Sequence, residues 1–122
     1  MPRLLALAAV GAALVGCGSS APVVDVAPQS RAAEEAIAEA EQAGAPTHAA
    51  AELRQARQKL DEAQAALDAG EDVRALRLAE QAEVDAELAE ATSREAVALA
   101  AIAEVRETIR VLREEIERNR NR

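Results

Sequence analysis

The chain has no phenylalanine, tyrosine or tryptophan, and only one histidine and one cysteine in 122 residues. Each scarcity removes a class of chemistry. Without aromatic rings there is no stacking platform for nucleic-acid bases and no aromatic face for a sugar. One cysteine, Cys17, allows neither an intramolecular disulfide nor a cysteine-based zinc site. His48 has no second histidine or cysteine to join it as a transition-metal ligand. It reads as an exposed residue in a turn between helices, since general acid–base work would need a cleft.

The charge balance points the same way. The formal net charge is −8, and an acidic body repels nucleic acid, whose binding rests on neutralising phosphates with Lys and Arg. No glycine-rich phosphate loop or nucleophile elbow occurs. The carboxylates are spread along helical faces, with no pair set apart in an apolar pocket. The expectation is a protein that is not an enzyme and has no cofactor, metal or nucleic-acid partner.

Long apolar runs are scarce as well. The one run, Leu4–Val15, is shorter than the roughly 20 residues a stable membrane span requires. With Arg3 before it and small residues after it, the run fits an export signal. Leu14-Val15-Gly16-Cys17 resembles a bacterial lipobox, in which the signal is cut before a cysteine that receives diacylglycerol. The resemblance implies cleavage after Gly16, lipid on Cys17 that includes palmitate-type chains, and a membrane partner held through that lipid. Each buried CH₂ contributes about 0.8 kcal/mol, so two or three acyl chains anchor durably where one is marginal. Gly18 follows the cysteine where an Asp would retain a lipoprotein at the inner membrane. For a diderm cell the expected location is therefore the outer membrane, facing the periplasm.

Glycine (5) and proline (4) are few, and their positions divide the chain. Residues 1–16 read as the signal. Residues 17–29, with Pro22, Pro28 and small polar side chains, read as a lipidated cysteine and flexible linker. Residues 30–122 form one domain rich in Ala, Glu, Arg and Leu, which are strong helix formers. No stretch alternates with a period of two. The fold class is all-α: an antiparallel helical hairpin or small three-helix bundle with a long, partly projecting, coiled-coil-like C-terminal helix.

The first helix is expected from Ser30, its N-cap, to Ala43, where Gly44 and Pro46 end it. Its inner face is Ala33, Ile37 and Ala40. The second is expected from Ala50 to Ala69, ended by Gly70, with Leu53, Leu60 and Leu67 alternating with Ala49, Ala56 and Ala63. The third begins near Asp72 and meets no Gly or Pro before about Arg118, roughly 70 Å of rod. It carries small residues at alternating spacings of four and three: Ala75, Ala79, Ala82, Ala86, Ala89, Ser93, Ala96, Ala100 and Ala103. Such a seam lets helix axes approach to about 8 Å, and the short link at Glu71 favours antiparallel neighbours.

Past residue 97 a different seam begins. Ala98, Val105 and Leu112 alternate with Ile102, Ile109 and Ile116. The second helix is too short to cover it, because pairing with residues 72–91 leaves 95–118 projecting. An uncovered apolar stripe marks a partner, and Ile at a with Leu or Val at d suits a parallel coiled coil. Ile102, Val105, Ile109, Leu112 and Ile116 are accordingly the candidate site for self-association or a protein partner. Cover by the first helix or by a membrane surface is the alternative. Ion pairs Glu90–Arg94, Arg110–Glu114 and Glu114–Arg118 are expected at helical spacing, each contributing about 0.2–0.5 kcal/mol.

Several segments together resemble a known family. Ala43-Gly44-Ala45, Glu52-Leu53, Ala56-Arg57, Leu60 and Ala63 form one half of its pattern. Leu78-Ala79-Glu80-Gln81-Ala82 and Asp85-Ala86-Glu87-Leu88-Ala89 form the other. The family comprises Ala-rich α-helical bacterial lipoproteins catalogued as a domain of unknown function, and the resemblance covers residues 30–100. Some relatives carry a similar segment ahead of an OmpA-like peptidoglycan-binding domain. His48 and Ala50 depart from the pattern, standing where relatives tend to have an aromatic residue and a proline. The lipobox and the uncovered Ile/Val/Leu seam together point to a structural or interaction element of the envelope. A periplasmic binding module with a chaperone-like or enzyme-regulatory role is the other expectation.

Overall fold

The computed structural model describes residues 24–122. Leu14, Val15, Gly16 and Cys17 lie outside the described residues. Four helices follow in order: α1 (Ala27–Gln42), α2 (Ala45–His48), α3 (Ala50–Asp68) and α4 (Asp72–Arg120). No strand occurs among the described residues. The all-α class and the long C-terminal helix are as expected.

The start of α1 departs from expectation. The helix begins at Ala27 rather than Ser30, so residues 24–29 are not a free linker. Asp25 stands just before the helix, its Oδ1 accepting the Ala27 N–H at 3.1 Å. Pro28 then sits in the first turn, where its missing N–H costs nothing and its fixed φ is already helical. Ser30 does not cap the helix, because its own N–H already donates to the Val26 carbonyl at 3.0 Å. Val26 is buried and packs with Ala66 and Ala75, flanked by Val24, Leu67, Leu76 and Leu78.

Glycine ends both α1 and α3. Gly70 adopts φ +74°, and Glu71 N–H reaches back to the Ala66 carbonyl at 2.8 Å while Gly70 N–H reaches Leu67 at 2.9 Å. This pair of bonds is a Schellman closure, and the chain reverses between Asp68 and Asp72. Gly44 adopts φ +94° at the end of α1. Pro46 does not simply stop the chain there: it starts the single turn of α2, which buries Ala45 and leaves His48 exposed. At the other turn Asp72 is the first helical residue of α4 and Glu71 stands at the cap position.

The core is built almost wholly of alanine. Val26, Ile37 and Leu53 are its larger members, and the remaining buried apolar residues among those described are all alanines. Six positions of the α4 seam are buried: Ala75, Ala79, Ala82, Ala86, Ala89 and Ser93. Ser93 keeps its hydroxyl satisfied by donating to the Ala89 carbonyl at 2.7 Å. The α4 seam meets α3, as expected, but α1 packs on α4 as well, and α1 and α3 touch each other less. Ile37 and Ala40 lie with Leu53, Ala56, Ala86 and Ala89, whereas Val26 lies with Ala66 and Ala75. Helix α1 therefore runs parallel to α4 and antiparallel to α3. Because two helices share one alanine seam, only Leu53 of the three α3 leucines is fully buried. Leu60 and Leu67 are half-buried at the edges of the contact, and Ala66 takes an inner place.

Candidate functional site

Cover on α4 ends at Ser93, and from Val97 to the C-terminus every residue is exposed. The helix continues for six further turns without support from α1 or α3. Its composition sustains it, since Ala, Glu, Arg and Leu favour the helix at every solvent-facing position. Ion pairs add to this. Arg110 donates Nε and Nη2 to Glu107 at 2.9 and 2.5 Å and Nη1 to Glu114 at 2.5 Å. The two carboxylates, Glu107 first, hold the Arg110 guanidinium above its ordinary range. Arg110 in turn holds the Glu107 carboxyl below its usual range. The expected Glu90–Arg94 and Arg110–Glu114 pairs form. In place of Glu114–Arg118, Glu117 pairs with Arg120 at 2.7 Å.

All five candidate residues are on this projection and open to solvent. Ile102, Val105, Ile109, Leu112 and Ile116 are between 42% and 64% exposed. They fall on one stripe because their spacing alternates between three and four. The position of that stripe on the helix could not be read from spacing within the projection alone. The bundle seam runs Ala89, Ser93, Ala96, Ala100, Ala103, and its next positions are Glu107, Arg110, Glu114 and Glu117. The apolar stripe is displaced from it by two residues, about 200° at 3.6 residues per turn. The face that is buried in the bundle becomes the ion-paired face of the projection. The apolar stripe lies on the opposite side.

Followed backward with the same spacing, the stripe continues from Ala98 through Glu95, Ala91 and Leu88 to Val84. Val84 and Leu88 are 61% and 54% exposed on the outer side of the bundle. The stripe thus spans Val84 to Ile116, roughly 50 Å, with Glu95 as its one charged member. Sequence reasoning missed Val84 and Leu88. Their signal was present in the 4-3 spacing, but Glu95 interrupts it, and the alanine seam over the same residues is the stronger pattern.

Other positions offer less. His48 is exposed on α2. Lys59 and Asp85 approach to 2.6 Å across α3 and α4, both partly covered, and tie the two helices together. Arg57 and Glu41 do the same for α3 and α1 at 2.5 Å on the open surface. An open hollow of about 550 Å³ beside Lys59 is lined by Arg54, Gln55, Gln58, Glu62 and Gln81 and holds no convergent set of reactive groups. Among the described residues no cluster of three His, Cys, Asp or Glu side chains is placed to hold a metal ion. None of the described helices is long and apolar enough to cross a membrane.

Residues 28–105 match the family described as Domain of unknown function (DUF4398). The chain belongs to this family. The DUF4398 match takes in α1 to α3, the bundle part of α4 and the first turns of the projection. Ile109, Leu112 and Ile116 lie beyond it. No curated protein and no solved structure matches the chain.

Proposed function

We propose that this DUF4398 chain is an envelope lipoprotein with a structural or interaction role. In this reading it is cut after Gly16, lipidated on Cys17 and held at the outer membrane, where its rod offers an apolar stripe to a protein partner. The observation that carries the reading is the exposed stripe Ile102, Val105, Ile109, Leu112 and Ile116 on an unsupported helix. Leaving these half-exposed side chains in water forgoes about half of the roughly 1.5–3 kcal/mol that full burial of each contributes.

The direction of the chain supports it. Val26 packs beside Ala75, near the Gly70 turn, at one end of the bundle. The projection leaves from the other end. Ile116 lies roughly 60 Å along α4 from Ala75, so a chain entering at Val26 from a membrane would hold its stripe far from that surface. The role is one of reach and docking, with no catalytic residue assigned.

The test is metabolic labelling of the full chain with an alkyne fatty acid. Label is expected on the native chain and lost in Cys17→Ser. Label that persists in Cys17→Ser, or none on the native chain, would remove the anchor from the proposal.

A further inference from the structure

We infer that the partner of the α4 stripe is a second copy of the same chain, paired parallel and in register over residues 98–120, with Glu95 ending the pairing. This rests on the interaction role proposed above and goes further in naming the occupant.

The first argument is the composition of the stripe in layers. Set in heptads, Ile102, Ile109 and Ile116 occupy a positions, and Val105 and Leu112 occupy d positions. β-branched residues at a with Leu or Val at d pack as knobs into holes in parallel two-stranded coils. Ala98 provides a small layer at the start, which brings the helices close.

The second argument is charge on the two flanks. One flank, at e positions, carries Arg106, Arg113 and Arg120. The other, at g positions, carries Ala101, Thr108 and Glu115. In a parallel pair each g residue faces the partner's e residue of the next heptad. Glu115 then meets Arg120, Thr108 meets Arg113 and Ala101 meets Arg106, with one attraction per side and no like-charge contact. In an antiparallel pair e faces e, and the arginines oppose one another. Arg106 and Arg113 would face uncharged Ala101 and Thr108, while Arg120, which pairs with Glu117 within the chain, would share its guanidinium with the second copy's Glu115. The bonded triad of Glu107, Arg110 and Glu114 lies on the far side of the helix, away from the contact.

The third argument is where the stripe breaks. Glu95 is exposed and falls at an a position. In a parallel in-register pair it would meet its own copy, two like charges facing across the seam. The pairing therefore ends after Ala98, and Leu88 and Val84 stay outside it. The same positions set the register, since any slip by a heptad moves Glu95 against an isoleucine layer.

Cysteine crosslinking in membranes of cells making the full chain tests this, with the unsubstituted chain as the control for Cys17. Leu112→Cys should give a disulfide dimer on mild oxidation, at least ten-fold above the control, whereas Glu114→Cys on the far face should not. Adding Ile109→Asp to Leu112→Cys should cut the dimer at least ten-fold, with helicity unchanged by circular dichroism. Leu88→Cys should crosslink weakly and rise several-fold when Glu95→Gln is added. No dimer at Leu112→Cys would overturn the self-pairing. So would a crosslink found only between co-expressed Ile102→Cys and Leu112→Cys chains, an a-to-d layer that an antiparallel coil makes, or a disulfide adduct at the mass of another protein. Equal crosslinking at Leu88→Cys with and without Glu95→Gln would overturn the role of Glu95. Fatty-acid labelling is read on the same samples. Dimer without label removes the anchor alone, and label without dimer removes the self-pairing alone.

Discussion

The bundle half and the projecting half of α4 are one unbroken helix of similar composition, yet they turn opposite faces inward and outward. In residues 72–96 the bundle seam is alanine or serine and is buried against α1 and α3 as far as Ser93. In residues 97–120 the same seam passes through Ala100 and Ala103 to Glu107, Arg110, Glu114 and Glu117, and the stripe of Ile102, Val105, Ile109, Leu112 and Ile116 lies on the other side. The two halves also use side-chain size differently. Small residues serve where backbones must come close and two helices share one groove. Isoleucine, valine and leucine serve where a single partner must be gripped along a narrow seam. A helix with one continuous apolar face would have its partner dock on the side already occupied. The change of face keeps the bundle and the docking stripe independent.

That independence can be broken most sharply by matched truncations in the two halves. Leu53, 2% exposed, packs with Ile37 of α1 and Ala86 and Ala89 of α4 in the α1–α3–α4 contact. Leu53→Ala should cost about 2–5 kcal/mol of bundle stability, from lost transfer energy and the cavity left behind. Ile109→Ala, on the exposed stripe, should change the stability of the isolated monomer by no more than about 0.5 kcal/mol. Urea unfolding followed by circular dichroism, at a concentration low enough to hold the chain monomeric, measures both. Comparable losses at the two sites would mean that the projection and the bundle unfold as one unit with shared contacts.

How much of this was legible in the sequence depends on which residues carried it. Ala75, Ala79, Ala82, Ala86, Ala89 and Ser93 were placed correctly by spacing, whereas Ala96, Ala100 and Ala103 continue that spacing past the reach of α1 and α3 and are half-covered or exposed. Gly44 and Gly70 likewise marked the two reversals, since each takes a positive φ that other residues resist. The start of α1 was misplaced because Ser30 is the stronger cap by residue type, while the deciding features, Asp25 and Pro28, sat in a stretch that reads as linker. That Val26 reaches the core depends on the tertiary fit beside Ala66 and Ala75, which no local pattern encodes. The candidate stripe was found residue by residue, but its phase relative to the bundle seam emerged only when both were placed on one helix. Cys17 and the residues before it were read by resemblance to a lipobox, and they lie outside the described residues.

A smaller effect is expected at the turn that sets the bundle against α4. A Cβ added at Gly70 would meet nothing within 4 Å, so sterics with neighbours do not decide the outcome there. The cost lies in the backbone, since φ +74° is disfavoured for any residue with a Cβ. Gly70→Ala should therefore lose about 1–2 kcal/mol, less than Leu53→Ala, and it should leave crosslinking at Leu112→Cys unchanged. Thermal unfolding measures the first and oxidation of the double variant the second. A loss of dimer with Gly70→Ala would show that the Gly70 turn influences the far stripe, some 60 Å away along α4.

The smallest effect separates register from stability within the bundle itself. Lys59 and Asp85 meet at 2.6 Å between α3 and α4, with side chains 23% and 18% exposed. They are the most covered ion pair among the described residues, and Lys59 is the only lysine in the chain. Partial exposure screens the pair, so Lys59→Met should cost on the order of 1 kcal/mol at most. Asp85→Asn in the Lys59→Met background should restore part of that loss, because it removes the carboxylate left half-covered without its partner. The double-mutant cycle by urea unfolding gives the coupling directly. A coupling near zero would assign the α3–α4 register to the alanine seam alone, where the fit of Ala56 and Ala63 against Ala82 and Ala86 would have to fix it without help from charge.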